Sequence, residues 1–304
     1  MQIPSTTAGY ANVQSRKAIE VQAVVPAVGA EILNVDIADL TDAQFELIYA
    51  AWLSHSALVV RGQNLSDEAL IAFSKRFGEL DPPPVNENGK KFVEGYPEIY
   101  VVSNVKGADG APIGSLGAGE AVWHTDMSYL SEPPDASMLY SLEIPATGGN
   151  TWICGMNAAL KALPKHLLDK VKHLSIKHDG TYNSGGYLRM GLKESSDPMT
   201  SVGTSHPIIC EHPVTGVPTL YLGRRRNAYV MGLQIAESEA LLDALWAHAT
   251  QPQFSFAHEW RVGDLLMWDN RCTMHRRDPF DDTSRRIMHR TQIKGQSVPK
   301  RATI

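Results

Sequence analysis

Hydrophobic and polar positions follow a two-residue alternation over much of the chain, and a helical spacing in only a few stretches. Residues 19–36 (IEVQAVVPAVGAEILNVD) are rich in β-branched residues and broken by Pro26 and Gly29, which predicts short strands. Thr41 opens TDAQFELIYAAWLSHS, a predicted helix with Thr41 as N-cap and Phe45, Ile48, Trp52 and Leu53 at helical spacing. ALVVRGQ (57–63) predicts a strand. Ser66 opens SDEALIAFSKRFGEL as an expected capping-box start, with Ala69, Phe73 and Phe77 on one side and Gly78 as the stop. Residues 81–120 are rich in Pro, Gly and Asn around one strand, EIYVVSNV. Irregular segments of that length inside compact domains tend to be functional.

From residue 121 short strands alternate with turns: AVWHTDMSY, SMLYSLEIP and GGNTWICG. One helix, AALKALPKHLLDKV, follows. Residues 176–235 have weak periodicity and read as an inserted excursion. ESEALLDALWAHAT is an amphipathic helix, and the tail returns to strands in FSFAHEWRV, DLLMWDN and RRIMHRTQI. Strands, an excursion and strands again predict one sheet structure closed by distant segments. The expected fold is mainly β with peripheral helices. Residues 1–18, small and polar, read as a loose arm. Residues 19–304 read as a single domain with an insertion at roughly 160–250.

Composition narrows the classes. The 304 residues are 43% hydrophobic and 20% charged, as in an ordinary globular protein. A net charge of -5 argues against a general nucleic-acid or membrane-surface binder. There is no run of 18 apolar residues to span a membrane, and the N-terminus has no apolar signal core. Three widely spaced cysteines (Cys154, Cys210, Cys272) form neither a disulfide framework nor a zinc ribbon, so a reducing, cytoplasmic setting is expected.

The chemistry starts at His124-Thr125-Asp126. On a strand, His124 and Asp126 share a face. Alone the pair is a weak signal, because eleven histidines produce such spacings by chance. Near the C-terminus MWDNRCTMH places His275 just after a strand and turn, 149 residues beyond Asp126. Two His and one carboxylate make the facial triad of non-haem Fe(II) oxygenases, which leaves iron positions open for substrate-side chemistry and O₂. Arg286 and Arg290 follow His275 by 11 and 15 residues and share a strand face. Inward arginines on a core strand are costly unless they bind anions, and guanidinium suits carboxylates. Iron with buried Arg points to an α-keto acid that chelates the metal while its far carboxylate meets Arg.

These residues carry a resemblance. WHTD, then GGNT 24 to 27 residues on, then WDNRCxxH and an Arg 11 residues later resembles the taurine/2,4-dichlorophenoxyacetate dioxygenase (TauD/TfdA) family of Fe(II)/2-oxoglutarate-dependent oxygenases. The likeness runs from about residue 19 to 295 and includes FSKRFGEL. From HAT (248–250) through HEWRVGDLLMWDNRCTMHR it is especially similar to the phenoxyacetate branch. It implies a double-stranded β-helix, a jelly-roll variant with outer helices. It implies His124, Asp126 and His275 as iron ligands, Thr151 and Arg286 on the two carboxylates of 2-oxoglutarate, and Arg290 on the anionic group of the primary substrate. It also implies a homo-oligomer. Trp268 is expected to wall the site and Met127 and the Tyr129 neighbourhood to line it. Arg285 should face outward if Arg286 faces in.

Taurine enzymes of the family carry a His and a Tyr after the FGEL segment and an Asn ahead of HxD. The equivalents here are Pro83, Asn86 and Glu120, which weakens taurine as substrate and makes Asn86 and Glu120 candidate pocket residues. The expected substrate is a small organic anion, an aryloxyalkanoate such as 2,4-dichlorophenoxyacetate or a related carboxylate, giving succinate, CO₂ and, from the ether, a phenol and glyoxylate. Alkylsulfonate or alkyl-sulfate oxygenation is the alternative within the class. A non-catalytic metal-binding barrel and a zinc hydrolase are rivals outside it. Trp123 is expected in packing, Asp269, Asn270 and Arg271 in a structural turn with a salt bridge, and GRRRN (223–227) in a solvated loop or subunit contact. His178, His206, His212 and His289 show no partner pattern and are expected to be satisfied or at the surface. The cysteines read as buried thiols.

Overall fold

A computed structural model describes residues 17–304; the arm expected at 1–18 falls almost wholly outside them. Eleven strands position the site: β1 (Glu20–Val25), β2 (Val28–Leu33), β3 (Ala57–Val60), β4 (Tyr96–Ser103), β5 (Ala121–His124), β6 (Ala136–Glu143), β7 (Thr151–Gly155), β8 (Ser255–His258), β9 (Leu265–Asp269), β10 (Thr273–Arg277) and β11 (Ile287–Ile293). They are accompanied by the helices α1 (Asp42–His55), α2 (Asp67–Lys75), α3 (Met156–Lys161), α4 (Lys165–Val171) and α5 (Ile235–Ala249).

The large sheet runs β1-β2-β3-β9-β6-β11-β4 and continues to Phe92–Val93, with Ser115–Leu116 parallel to β4. The small sheet runs β8-β7-β10-β5. Apart from that parallel pair and β2–β3, neighbouring strands are antiparallel, and several come from distant parts of the chain, as β9 does between β3 and β6. The fold is thus a jelly roll, mainly β with outer helices.

Side-chain parity explains the layers. Ala57 and Val59 of β3, Leu139 of β6, Leu266 and Trp268 of β9 and Met288 of β11 meet Ile153 of β7 and Phe256 of β8 in a core between the two sheets. Leu58, Val60, Met138, Leu265 and Met267 point the other way, under α1 and α2. Behind the small sheet, Cys154 and Met274 pack on α3, α4 and α5. Both faces of the large sheet are therefore covered, so β3 (ALVV) is buried at every position and lacks alternation. Gly29 sits at φ +89°, and a Cβ there would lie 2.4 Å from the Phe256 ring, so only glycine fits this position at the start of β2.

The local signals at α1 are realised. Thr41 and Gln44 form both arms of a capping box, a feature worth about 1 kcal/mol. At α2 only half of the expected box forms: Ser66 accepts from Ala69 N, but the third position is alanine and offers no return bond. That helix ends at Lys75, three residues before Gly78. AALKALPKHLLDKV is two helices rather than one, because Pro164 has no N–H to donate and disfavours a helical residue before it. The stretch 176–235 is not bare loop. Ser175–Lys177, Ser205–Pro207 and Tyr229–Val230 form one three-stranded sheet, and Ile209–Glu211, Pro218–Leu220 and Lys300–Arg301 form another. Strands of two or three residues are too short to show a period. No helix of the described residues is long and apolar enough to cross a membrane.

Candidate active site

The pairing of β5 with β10 makes His124 and His275 direct cross-strand partners, with ring centroids 4.1 Å apart. Asp126 joins them differently from the expectation. β5 ends at His124, so His124 and Asp126 are not two positions of one strand face. The chain turns, with Met127 at φ 46°, and brings Asp126 Oδ1 to 3.5 Å from His124 Nε2 and 3.6 Å from His275 Nε2. Asn270 holds that turn. Its Oδ1 accepts from Asp126 N at 2.8 Å, and its Nδ2 donates to the carbonyls of Asp126 (2.9 Å) and Pro134 (2.8 Å). Asn270 therefore does more than the turn role read from sequence: it fixes the backbone of a candidate ligand from both sides. Asp269 keeps the expected structural role, accepting from Arg271 and from His212 Nε2 at 2.9 Å.

The electrostatics suit a cation. Burial alone would raise the Asp126 carboxyl, but the Arg290 guanidinium and the two histidines hold it well below the usual range. Burial, then the nearby His124, pushes His275 well below its ordinary value, which keeps it neutral. His124 Nδ1 donates to Val122 O at 2.8 Å and leaves Nε2 as a lone-pair donor. One imidazole nitrogen from each histidine and one carboxylate oxygen, all within 4.8 Å of one another, fit a divalent iron with positions left open. A second cluster, His212, Asp269 and Cys272, is also close enough to hold a metal. There Asp269 is spent on Arg271 and His212, and burial pushes the Cys272 thiol well up, so it serves as a buried polar brace.

Two chambers adjoin the triad. The first, on the His275 side, is lined by Val102, Leu139, Trp268, Thr151, Arg277 and Arg286 among others. Trp268 is 1% exposed, and its ring centroid lies 4.5 Å from that of His275. Thr151 Oγ1 accepts from Trp260 Nε1 at 3.0 Å, which leaves the hydroxyl proton free to donate. Arg286, just ahead of β11, is 1% exposed, and its Nε has no hydrogen-bond partner. Burial, reinforced by Arg277, pushes its pKa well down. A buried cation without a carboxylate is costly unless an anion completes it. The neighbouring Arg285 does face outward and pairs with Glu143.

The second chamber, on the Asp126 side, is lined by Asn86, Tyr100, Met127, Tyr129, Arg189 and Arg224 among others. Arg290 borders both chambers, but it is bonded to Asp126 Oδ2 and, at 2.8 Å, to Ser137 Oγ. The structure thus gives Arg290, expected on the substrate anion, a candidate ligand carboxylate as one partner, while its buried Nε has no hydrogen-bond partner. The reason is physical: a buried Asp126 needs a counter-charge. Glu120 is a correction. It is exposed, 3.9 Å from Arg276, and lines neither chamber.

Two further readings change. Arg224 of the GRRRN run is buried at the second chamber, while Arg225 pairs with Glu239 and Asp243, so the run is no solvated loop. His178 is 1% exposed with neither ring nitrogen hydrogen-bonded, so it is neither satisfied nor at the surface. His206 packs 5.3 Å from it, and its Nε2 donates to Leu130 O. Arg189, Arg224 and Ser137 were not singled out by the sequence. Only the three adjacent arginines of an acidic chain hinted at one of them. Cys154, Cys210 and Cys272 are buried free thiols, Trp123 packs behind the small sheet, and His289 pairs with Asp67.

Comparison with known proteins agrees with this geometry. The family model described as taurine catabolism dioxygenase TauD, TfdA family matches residues 20–292. The (S)-phenoxypropionate/alpha-ketoglutarate dioxygenase of Delftia acidovorans is 31% identical over 296 residues, covering 91% of this chain and 95% of that one. The alpha-ketoglutarate-dependent 2,4-dichlorophenoxyacetate dioxygenase of Cupriavidus pinatubonensis is 34% identical over 252 residues, 80% of this chain and 86% of that one. A crystal structure of a taurine dioxygenase from Burkholderia xenovorans superposes with a TM-score of 0.75 at 31% identity, covering 93% of each chain. Triad, buried arginine and jelly roll agree with these matches, and the chain belongs to the TauD/TfdA family of Fe(II)- and 2-oxoglutarate-dependent dioxygenases.

Proposed function

We propose that this dioxygenase hydroxylates a small organic carboxylate, an aryloxyalkanoate or a related acid, at the carbon beside its heteroatom. The observation that carries the reading is Arg286: a buried guanidinium without a carboxylate partner, at a partly apolar chamber that also holds His275. The relatives named for phenoxypropionate and 2,4-dichlorophenoxyacetate support the substrate class.

In this reading His124, Asp126 and His275 hold Fe(II). Bound Fe(II) couples oxidative decarboxylation of 2-oxoglutarate, with O₂, to hydroxylation of the substrate, giving succinate and CO₂. Arg286 receives the distal carboxylate of 2-oxoglutarate, bidentate where its geometry allows. Thr151 donates its free hydroxyl proton to the nearer carboxylate. Trp268 packs on His275 and keeps water from that side. Asn270 and Arg290 are positioning residues: one fixes the Asp126 backbone, the other turns its carboxylate so that Oδ1 faces the histidines. Met127 and Asn86 line the substrate side. An aryloxyacetate hydroxylated beside its ether oxygen is a hemiacetal, and it collapses to a phenol and glyoxylate. The reading includes a reducing, cytoplasmic setting, in keeping with the buried free thiols, and assembly as a homo-oligomer, as the family likeness suggests.

The test is anaerobic titration with Fe(II) and 2-oxoglutarate, then O₂ with a panel of carboxylates, sulfonates and sulfates, reading succinate. Stimulation by phenoxyacetates above taurine and alkyl sulfates is the expected result. The reverse order overturns the substrate class.

A further inference from the structure

Trp260 lines neither chamber, yet its indole holds a side chain that does. Its Nε1 donates to Thr151 Oγ1 at 3.0 Å, the one hydrogen bond of the Thr151 side chain among the described residues. An indole N–H can only donate, so it occupies a lone pair of the hydroxyl. The Thr151 proton is kept out of that direction and turned elsewhere. Among the described residues no carboxylate lines the chamber, and Arg277 and Arg286 bring only donors to it. An anionic ligand is the acceptor that the Thr151 proton lacks.

The turn that carries Trp260 is held from both sides. β8 pairs with β7 so that His258 stands opposite Thr151. The Trp260 ring meets the His258 ring edge-on, with centroids 4.5 Å apart. His258 is 2% exposed, and its Nε2 lies 3.1 Å from Oδ2 of the fully buried Asp264. The same oxygen accepts from Arg261 N at 2.9 Å. Arg61 Nη1 donates to Asp264 Oδ2 at 2.6 Å and to Glu259 O at 3.3 Å. Residues 258, 259 and 261 are all tied to one Asp264–Arg61 pair, which leaves the indole between them little freedom.

We propose that Trp260 is a positioning residue for the co-substrate, directing the Thr151 hydroxyl proton at a carboxylate of 2-oxoglutarate. This role rests on the proposed place of 2-oxoglutarate at Thr151 and names what fixes that contact. An unheld threonine hydroxyl rotates to suit its surroundings. With one direction taken by the indole, the rotor is partly set before the anion arrives, and less freedom is lost on binding. Trp260 thus acts on the co-substrate only through Thr151. A packing role would instead persist when the hydroxyl is removed.

Two measurements test this. In crystals of the wild type grown anaerobically with Fe(II) and 2-oxoglutarate, Thr151 Oγ1 should lie within about 3.2 Å of both Trp260 Nε1 and a carboxylate oxygen. A hydroxyl turned away from either one overturns the proposal, and no variant is needed. In anaerobic titration calorimetry, Trp260→Phe should weaken 2-oxoglutarate binding about threefold to tenfold at unchanged Fe(II) affinity. The same substitution added to Thr151→Val should cost nothing further, because the hydroxyl it acts through is gone. Losses that multiply in the double variant show packing instead and overturn the proposal, as does an unchanged 2-oxoglutarate affinity in Trp260→Phe. If Thr151→Val alone leaves that affinity unchanged, the proposed place of the co-substrate fails, and the role of Trp260 falls with it.

Discussion

The two chambers beside the triad are built from different materials. The Arg286 chamber is made largely by strands: Val102, Leu139, Thr151, Trp268 and His275 all lie on inward-facing positions of the two sheets. The Arg189 chamber is made largely by loops, from residues 84–86, 127–129, 179–189 and 224. Strand residues are fixed by a ladder on each side and by packing on both faces. Loop residues are fixed by a few side-chain contacts, such as those of Arg189 with Val85 O, Asn86 and the Tyr129 ring. The sheet-built chamber can therefore serve a common co-substrate, and the loop-built one can change with the substrate.

The largest test removes what the chambers share. Asp126→Ala should reduce succinate formation to background. It should also lower stability by about 3–5 kcal/mol, read by chemical denaturation, because Arg290 is left buried without its carboxylate. Substrate-stimulated turnover in this variant would break the assignment of the triad. Next, Arg286→Ala should weaken 2-oxoglutarate binding by about 2–5 kcal/mol with Fe(II) still bound, measured by anaerobic titration calorimetry. An unchanged 2-oxoglutarate affinity would mean that the co-substrate does not use the sheet-built chamber.

Asn270→Ala tests the turn that carries Asp126. Fe(II) affinity should fall by about 10–100-fold, followed by competition with a chelator. Thr151→Val removes one donor to the co-substrate and the acceptor of Trp260, and should cost about 0.5–1.5 kcal/mol in 2-oxoglutarate affinity. Glu120→Gln is the smallest: with this residue outside both chambers, the co-substrate KM and the organic-acid KM should both stay unchanged in steady-state assays of succinate formation. A shift in the acid's KM would return Glu120 to the loop-built side.

The sheet-built chamber was legible because strand geometry follows sequence parity. Arg286, Met288, Arg290 and Gln292 alternate along one face, and GGNT and WDNR mark the turns that feed β7 and β10. Arg285 could be set aside by the same parity. The failures lie where parity stops. Glu120 was placed by counting back from His124, and the chain there leaves the sheet at the start of β5. Arg189 and Arg224 belong to segments with no period, so no spacing could bring them to Asn86 and Asp179.

The sequence by itself picked out the candidate chemistry: two histidines and a carboxylate from segments 149 residues apart, and an arginine that faces inward near them. Local bonding rules, a two-residue strand period and donor types suffice for that. Tertiary structure alone decided how charge is shared. Arg290 goes to Asp126, Arg224 to Asp179, and Arg189 keeps no carboxylate. Ion pairing depends on which groups share a buried space, and that space is made by sheet register and loop packing that no linear spacing encodes.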